Sequence, residues 1–369
     1  MWLVILLILI YPIYLIYDLI SFFWPSRIKK NFSTIHTRLY YNYSLNYDHV
    51  KFQSSPSYYL PVGTKSWLKS TNTTGLVVLK VDDITKARIL YQDYSGDPLI
   101  SWSLNKSFVS ALVGIAVDEG RLKLTDRVGD HLDLGGFNDC TIEELLEMKS
   151  GVKFDENYFN TFSDINMMCS DIFIGYNVTD HLRKYNKGES KFYYSSADTQ
   201  ALTLVLKAIV GDLTDYFNKK LWRPCGMIDD CYWLTDSFDN ELGFGGLCTQ
   251  TINYAIFGWL YLNKGKSPKD GQQIIYEDWI KESTSERVKS DYPNKFGYGY
   301  QWWVINDNEY LAIGIYGQFI YVNREYKIVI AKNSATSNYG DYERGEMINL
   351  SEIMALERFR EISEFYKDV

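Results

Sequence analysis

The segment Ser101-Trp-Ser103-Leu-Asn-Lys106-Ser-Phe108 sets a hydroxyl and an amine three residues apart at the mouth of a helix-forming run. Beyond it, Phe108, Leu112, Ile115 and Ala116 recur at helical spacing and Gly120 stops the run, which predicts a helix from Phe108 to Glu119. Residues at i and i+3 share one helix face, so Ser103 and Lys106 are neighbours. A serine is a weak nucleophile until a base takes its proton. A lysine can be that base when burial and nearby charge depress its pKa, and a helix N-terminus also favours the neutral amine. The same helix start offers the Ser103 N–H to a developing oxyanion. This spacing also arises by chance, and the plain alternative is Ser103 as an N-cap beside a solvated Lys106.

Working outward, Gly75–Val81 and Ala87–Tyr91 read as two strands joined by the polar Asp82-Asp83 turn. Thr141 to Met148 reads as a short helix whose cap, Thr141, is followed three residues on by Glu144, a capping box. Further helices are expected at Thr199–Val210, ending at Gly211, and at Ile252–Leu262. The tail predicts strands at Tyr300–Ile305, Tyr310–Ile313, Phe319–Val322 and Lys327–Ala331, then a helix from Glu343 towards Tyr366. Strands at both ends with helices between them imply an α+β domain: an antiparallel β-sheet flanked by helices, closed from both termini around a mostly helical insertion at about 107–235.

The amino terminus is of another kind. From Trp2 to Trp24 the only charge is Asp18, and 23 such residues span roughly 35 Å as a helix, enough to cross a bilayer. Residues 1–30 are therefore expected to be one N-terminal transmembrane helix with its basic flank, and residues 2–24 to make the lipid bilayer a partner. A cleaved signal peptide fits less well, for want of a basic n-region and a small-residue cleavage site. Arg27, Lys29 and Lys30 vote for a cytoplasmic catalytic domain, but three charges leave the side open. Residues 31–73 are polar and aperiodic and read as a linker and lead-in, which leaves 74–369 as the main domain.

The 369 residues carry a net charge of −8, which argues against a broad nucleic-acid surface. The five cysteines form no C-x-x-C pair and the four histidines are isolated, so no metal or cofactor is implied. A bridge between Cys225 and Cys231 stays open. Aromatics reach 16%; Trp102, Tyr193, Trp302, Trp303 and Tyr316 lie near the motifs and suit either an apolar-lined pocket or sheet packing.

Several blocks then fall in a recognisable order. Asp97–Phe108 carries Ser-x-x-Lys, a signature of serine β-lactamases and penicillin-binding proteins. Thr141–Gly151, Asp155-Glu-Asn-Tyr158, Phe192-Tyr-Tyr194-Ser-Ser196–Gln200, Gly245–Gln250 and Phe296–Trp303 follow it. The chain resembles the serine β-lactamase-like hydrolases over about Thr74 to Ser334, and within them the class C-like branch of 6-aminohexanoate-dimer hydrolases and esterases. The resemblance implies a β-lactamase/transpeptidase-like fold, with Ser103 as acylated nucleophile and Lys106 as its base. It makes Tyr194 a proton shuttle, favoured as phenolate by the neighbouring ammonium. Ser196 would bond Lys106 and substrate, and Tyr158 would touch substrate from its loop.

One motif departs from the family pattern. Where Lys/His-Thr-Gly is usual, this chain reads Ala312-Ile313-Gly314-Ile315. Gly314 still admits close backbone approach, and the Ile315 N–H could complete an oxyanion hole with Ser103. The lost cation removes a contact to a substrate carboxylate worth about 1.5–3 kcal/mol. The expectation is a membrane-anchored serine hydrolase of a small-molecule amide or ester. A catalytically silent scaffold and a penicillin-binding protein or β-lactamase are the alternatives.

Overall fold

The computed structural model describes residues 37–40, 50–52, 59–228, 231–290, 294–336 and 346–369. Its strands are β1 (Thr37–Tyr40), β2 (Thr73–Asp83), β3 (Lys86–Tyr94), β4 (Leu99–Ile100), β5 (Cys231–Leu234), β6 (Leu247–Thr249), β7 (Val288–Lys289), β8 (Gly297–Tyr298), β9 (Trp303–Asn306), β10 (Glu309–Gly314), β11 (Gln318–Asn323) and β12 (Ile328–Ser334). The helices are α1 (Thr64–Ser70), α2 (Asn105–Asp118), α3 (Ile142–Leu146), α4 (Asp164–Phe173), α5 (Val178–Leu182), α6 (Ser196–Val210), α7 (Leu213–Phe217), α8 (Arg223–Cys225), α9 (Thr251–Leu262), α10 (Glu277–Ser283) and α11 (Glu346–Phe365).

Eight strands form one antiparallel sheet in the order β3-β2-β12-β11-β10-β9-β8-β7, and β1-β5-β6-β4 form a second. Alternation along the central strands divides the core in two, because successive side chains leave a strand on opposite faces. Val77, Leu79 and Val81 of β2, with Val329 and Ala331 of β12, join the larger cluster, which includes Phe257 and Trp259 of α9 and Leu104 and Phe108 of the nucleophile segment. Leu76, Val78, Ile328 and Ile330 face the other way, onto Leu356, Phe359 and Ile362 of α11. Gly258 lets α9 lie close on the sheet: a Cβ there would come within 2.5 Å of Val329 Cγ1. Burying these aliphatic faces at about 25 cal/mol per Å² is what holds sheet and helices together.

The α+β architecture read from the sequence is present, with boundaries that move for local reasons. The nucleophile helix starts at Asn105 and not Phe108, because a 3₁₀ turn, Trp102–Leu104, leads straight into it. Helix α6 starts at Ser196 rather than Thr199, which puts Ser196 at its first residue. The strand expected from Tyr300 begins only at Trp303, since Gln301 turns the chain at φ 63°. The lead-in is not wholly irregular: α1 packs Trp67 edge-on against Phe359 at 5.9 Å, and β1 pairs with β5. The capping box is made as read, with Thr141 Oγ1 accepting from Glu144 N at 3.1 Å and Glu144 Oε2 from Thr141 N at 2.9 Å. Cys225 and Cys231 are both buried and not bridged to each other, so the bridge left open is not formed. The proposed anchor, residues 2–24, lies outside the described residues; among the described residues no helix is long and apolar enough to cross a membrane.

One buried cation stands apart from the site. Lys332 of β12 is 1% exposed, donates to Ser334 Oγ, and lies 4.9 Å from the Trp67 ring centroid; among the described residues no carboxylate pairs with it. Burial pushes its amine down to about 7. An amine held below its unfolded pKa takes up protons on unfolding, so its penalty is full below about pH 7 and fades as the pH climbs towards the unfolded value. Lys332→Met should therefore raise the melting temperature most at pH 6, with the gain shrinking by pH 9.5; thermal melts of both proteins across that range test this, and a gain that does not vary with pH would contradict it.

Candidate active site

Ser103 lies in the 3₁₀ turn, part exposed, while Lys106 in the first turn of α2 is 1% exposed. The solvated-lysine alternative is thereby excluded. Lys106 Nζ lies 3.0 Å from Ser103 Oγ, 3.0 Å from Ser196 Oγ and 3.0 Å from the Phe244 carbonyl oxygen. Burial pulls the amine down to about 8, against the pull of Glu156, Cys169 and Asp198 towards the ammonium. An amine poised there is neutral often enough near neutral pH to accept the Ser103 proton.

Tyr194 completes the group. Its hydroxyl is hydrogen-bonded to Ser103, and its ring stacks on Trp303 at 5.4 Å and lies 5.2 Å from Lys106 Nζ. The phenolate inferred from sequence is not favoured here: burial drives the Tyr194 pKa far above its ordinary value, more than the Ser103 hydrogen bond lowers it.

The supports come from all around the fold. Asn105 Nδ2 donates to the Gly243 carbonyl at 2.8 Å and Gln200 Oε1 accepts from Gly243 N at 3.0 Å, fixing the loop that presents the Phe244 carbonyl to Lys106. Asp198 of α6 accepts from Ser150 Oγ at 2.7 Å, and burial lifts its pKa to about 7. That pair ties the loop before α6 to the turn at Met148, whose carbonyl accepts from Tyr193 N at 2.9 Å. Gly314 ends β10 against the nucleophile segment: a Cβ would stand 2.4 Å from the Ser101 carbonyl oxygen. The need for glycine here is thus set by the protein's own backbone.

Beside Ser103 and Ile315 stand two aromatic residues in the left-handed region, Trp102 (φ 47°) and Tyr316 (φ 66°), their rings 5.5 Å apart and edge to face. Of the five aromatics noted near the motifs, Trp302 is fully buried against Phe257 and Tyr261, so it packs the core. Trp303 backs Tyr194, and Tyr193 is exposed. Ala312 is buried on the sheet face shared with Leu104 and Phe108. Tyr158 donates its hydroxyl to Glu156 Oε1 at 2.5 Å. Two participants escaped sequence reading: the Phe244 carbonyl, which as backbone leaves no residue-type signal, and Glu156, which stood in plain view two residues before Tyr158.

Fold and site together define a serine hydrolase acting on amide or ester bonds. The chain belongs to the beta-lactamase family, whose model matches residues 100–349. It is 22% identical over 314 residues to the 6-aminohexanoate-dimer hydrolase of Paenarthrobacter ureafaciens, covering 77% of this chain and 79% of that protein. A Bacillus anthracis structure provisionally assigned as a 6-aminohexanoate-dimer hydrolase superposes with a TM-score of 0.74 at 20% identity, over 92% of this chain and 93% of the other. A penicillin binding protein of Bacillus halodurans gives 0.59 at 17% identity, over 79% and 99%.

The neutral amine is the form that can accept a proton, so acylation should rise with pH through about 8 and then level off. Burst kinetics with p-nitrophenyl acetate between pH 6 and 10 would show that limb, and Lys106→Met should remove it with a loss of roughly 10²–10⁴-fold. A limb that survives the substitution would assign the base elsewhere.

Proposed function

We propose that this chain is a membrane-tethered hydrolase that cleaves a small-molecule amide or ester through an acyl-enzyme on Ser103. Lys106 takes the Ser103 proton as Oγ bonds to the acyl carbon, and the carbonyl electron pair moves onto oxygen. The N–H groups of Ser103 and Ile315 hold that oxyanion. As the tetrahedral intermediate collapses, Tyr194 delivers a proton to the departing amine or alcohol and is resupplied from Lys106. Water then attacks the ester by the same path in reverse. Ser196 holds Lys106 and faces the substrate, and Tyr158 borders the leaving group from its loop.

The observation that carries this reading is the part-exposed Ser103 hydroxyl held between a buried amine at 3.0 Å and the Tyr194 hydroxyl. Buried Lys332 shows that burial alone does not mark a base; what sets Lys106 apart is the part-exposed Ser103 hydroxyl 3.0 Å from its Nζ. Ala312 in place of a cation argues against substrates bound through a carboxylate at that point, hence against β-lactams. The relative named for a 6-aminohexanoate dimer makes linear amides the first class to test. The tether is inferred from the apolar run Trp2–Trp24 alone.

Intact-protein mass spectrometry of the full chain in detergent, with p-nitrophenyl acetate and a fluorophosphonate, should show one adduct on the wild type and none on Ser103→Ala. Fluorescent penicillin should leave no lasting adduct on either. An unlabelled but folded wild type would sink the hydrolase reading, and stable penicillin acylation would move it to the penicillin-binding proteins.

A further inference from the structure

Glu156 belongs to none of the roles assigned above, yet it touches the machinery at three points. Its Oε1 accepts from Ser196 Oγ at 2.5 Å and from the Tyr158 hydroxyl at 2.5 Å, and its Oε2 accepts from the Ser196 N–H at 2.8 Å. That N–H opens the fifteen-residue helix α6, where a negative charge is favoured.

The consequence follows from counting protons. Ser196 has one hydroxyl hydrogen, and a carboxylate only accepts. The hydrogen therefore points to Glu156, and the Ser196 oxygen meets Lys106 as an acceptor. The Phe244 carbonyl is likewise an acceptor, at 3.0 Å. A neutral amine has two N–H bonds and one lone pair. With both N–H bonds committed to Ser196 and Phe244, the lone pair is left facing Ser103 Oγ. Once Lys106 has taken the proton, its three N–H bonds meet three oxygens.

We propose that Glu156 is a positioning residue, which orients the Ser196 hydroxyl and so turns the lone pair of Lys106 onto the nucleophile. This rests on the acyl-enzyme reading above. Without Glu156 the Ser196 hydroxyl can rotate and donate to Lys106, which ties up the lone pair that should take the proton from Ser103. Its charge acts in the same place. The groups that face Lys106 are Glu156, Cys169 on α4, Asp198 on α6 and the Tyr194 ring, and Glu156 is the strongest of the charges that favour the ammonium.

The test is the rate of Ser103 acylation by p-nitrophenyl acetate and by a fluorophosphonate, from pH 6 to 10, in the full-length chain. The comparison set is wild type, Glu156→Gln, Ser196→Ala and the double variant, with Ser103→Ala as control. Glu156→Gln should slow acylation roughly 10–100-fold and move the rising limb to lower pH, since the charge that favours the ammonium is gone. In the Ser196→Ala background the same substitution should cost less than about threefold in the plateau rate, because its hydrogen-bond route to Lys106 has been removed, while the shift of the limb, which the charge causes through space, persists. An equal loss in both backgrounds, or an unchanged rate and limb, would overturn the proposal. If Glu156→Gln fails to fold, Glu156→Asp decides: it keeps the charge but falls short of Ser196, so acylation should drop at least tenfold with the limb near its wild-type position, and a wild-type rate would refute the role. An unlabelled wild-type Ser103 would instead mark failure of the acyl-enzyme reading itself.

Discussion

The rest of the site is organised around a single buried amine. Taking a lysine out of water is costly unless each of its hydrogens finds an acceptor. Lys106 meets Ser103, Ser196 and the Phe244 carbonyl, each at 3.0 Å, and these come from three separate parts of the chain. Asn105 and Gln200 hold the Phe244 loop, Asp198 ties down the loop that carries Tyr194, and Glu156 closes the far side of Ser196. Burial here lowers the pKa of the amine to about 8. Lys332 makes the contrast: equally buried, it donates to the buried Ser334 hydroxyl, and among the described residues no carboxylate pairs with it.

Much of this could be read from residue order, and what could not has physical reasons. Ser103 and Lys106 were legible because their spacing fixes a shared helical face, and the Tyr194–Ser196 segment because its residue types recur in the family in the same order. The capping box at Thr141 was legible because it is purely local. The helix starts at Asn105 and Ser196 were not, since a 3₁₀ lead-in and a serine pinned by a distant carboxylate leave no periodicity. The state of Tyr194 was misread because sequence gives its neighbour but not its burial, and burial dominates. Glu156 was passed over because Tyr158, two residues on, matched a family role.

The departure at the third motif takes shape in the same way. Ala312 fills its place on the sheet as a small apolar side chain in register with Ile320, and Gly314 closes the strand against Ser101. Immediately beyond, Tyr316 sits in a conformation that disfavours any side chain with a Cβ, and Trp102 does the same on the other strand of chain. Each costs of order 1–2 kcal/mol. Both flank the residues whose N–H groups are assigned to the oxyanion, and their rings lean on one another. Strain of this kind also occurs at turns elsewhere, such as Asp239 and Lys264, but here two such residues lie in contact.

The pairing of β2 with β12 joins Lys80 to Ile328 and Gly75 to Asn333, so the middle of the sheet is sewn from chain segments that leave the ribosome far apart in time. Ser103 and Lys106 are synthesised early, when the hairpin carrying Gly314 and Ile315 does not yet exist. Closing so long a loop is slow and comes late in folding. A half-made chain would carry Ser103 and Lys106 but lack the turn after β10 that closes on the Ser101 carbonyl. The order of strands thus ties completion of the proposed site to the late closure of the sheet.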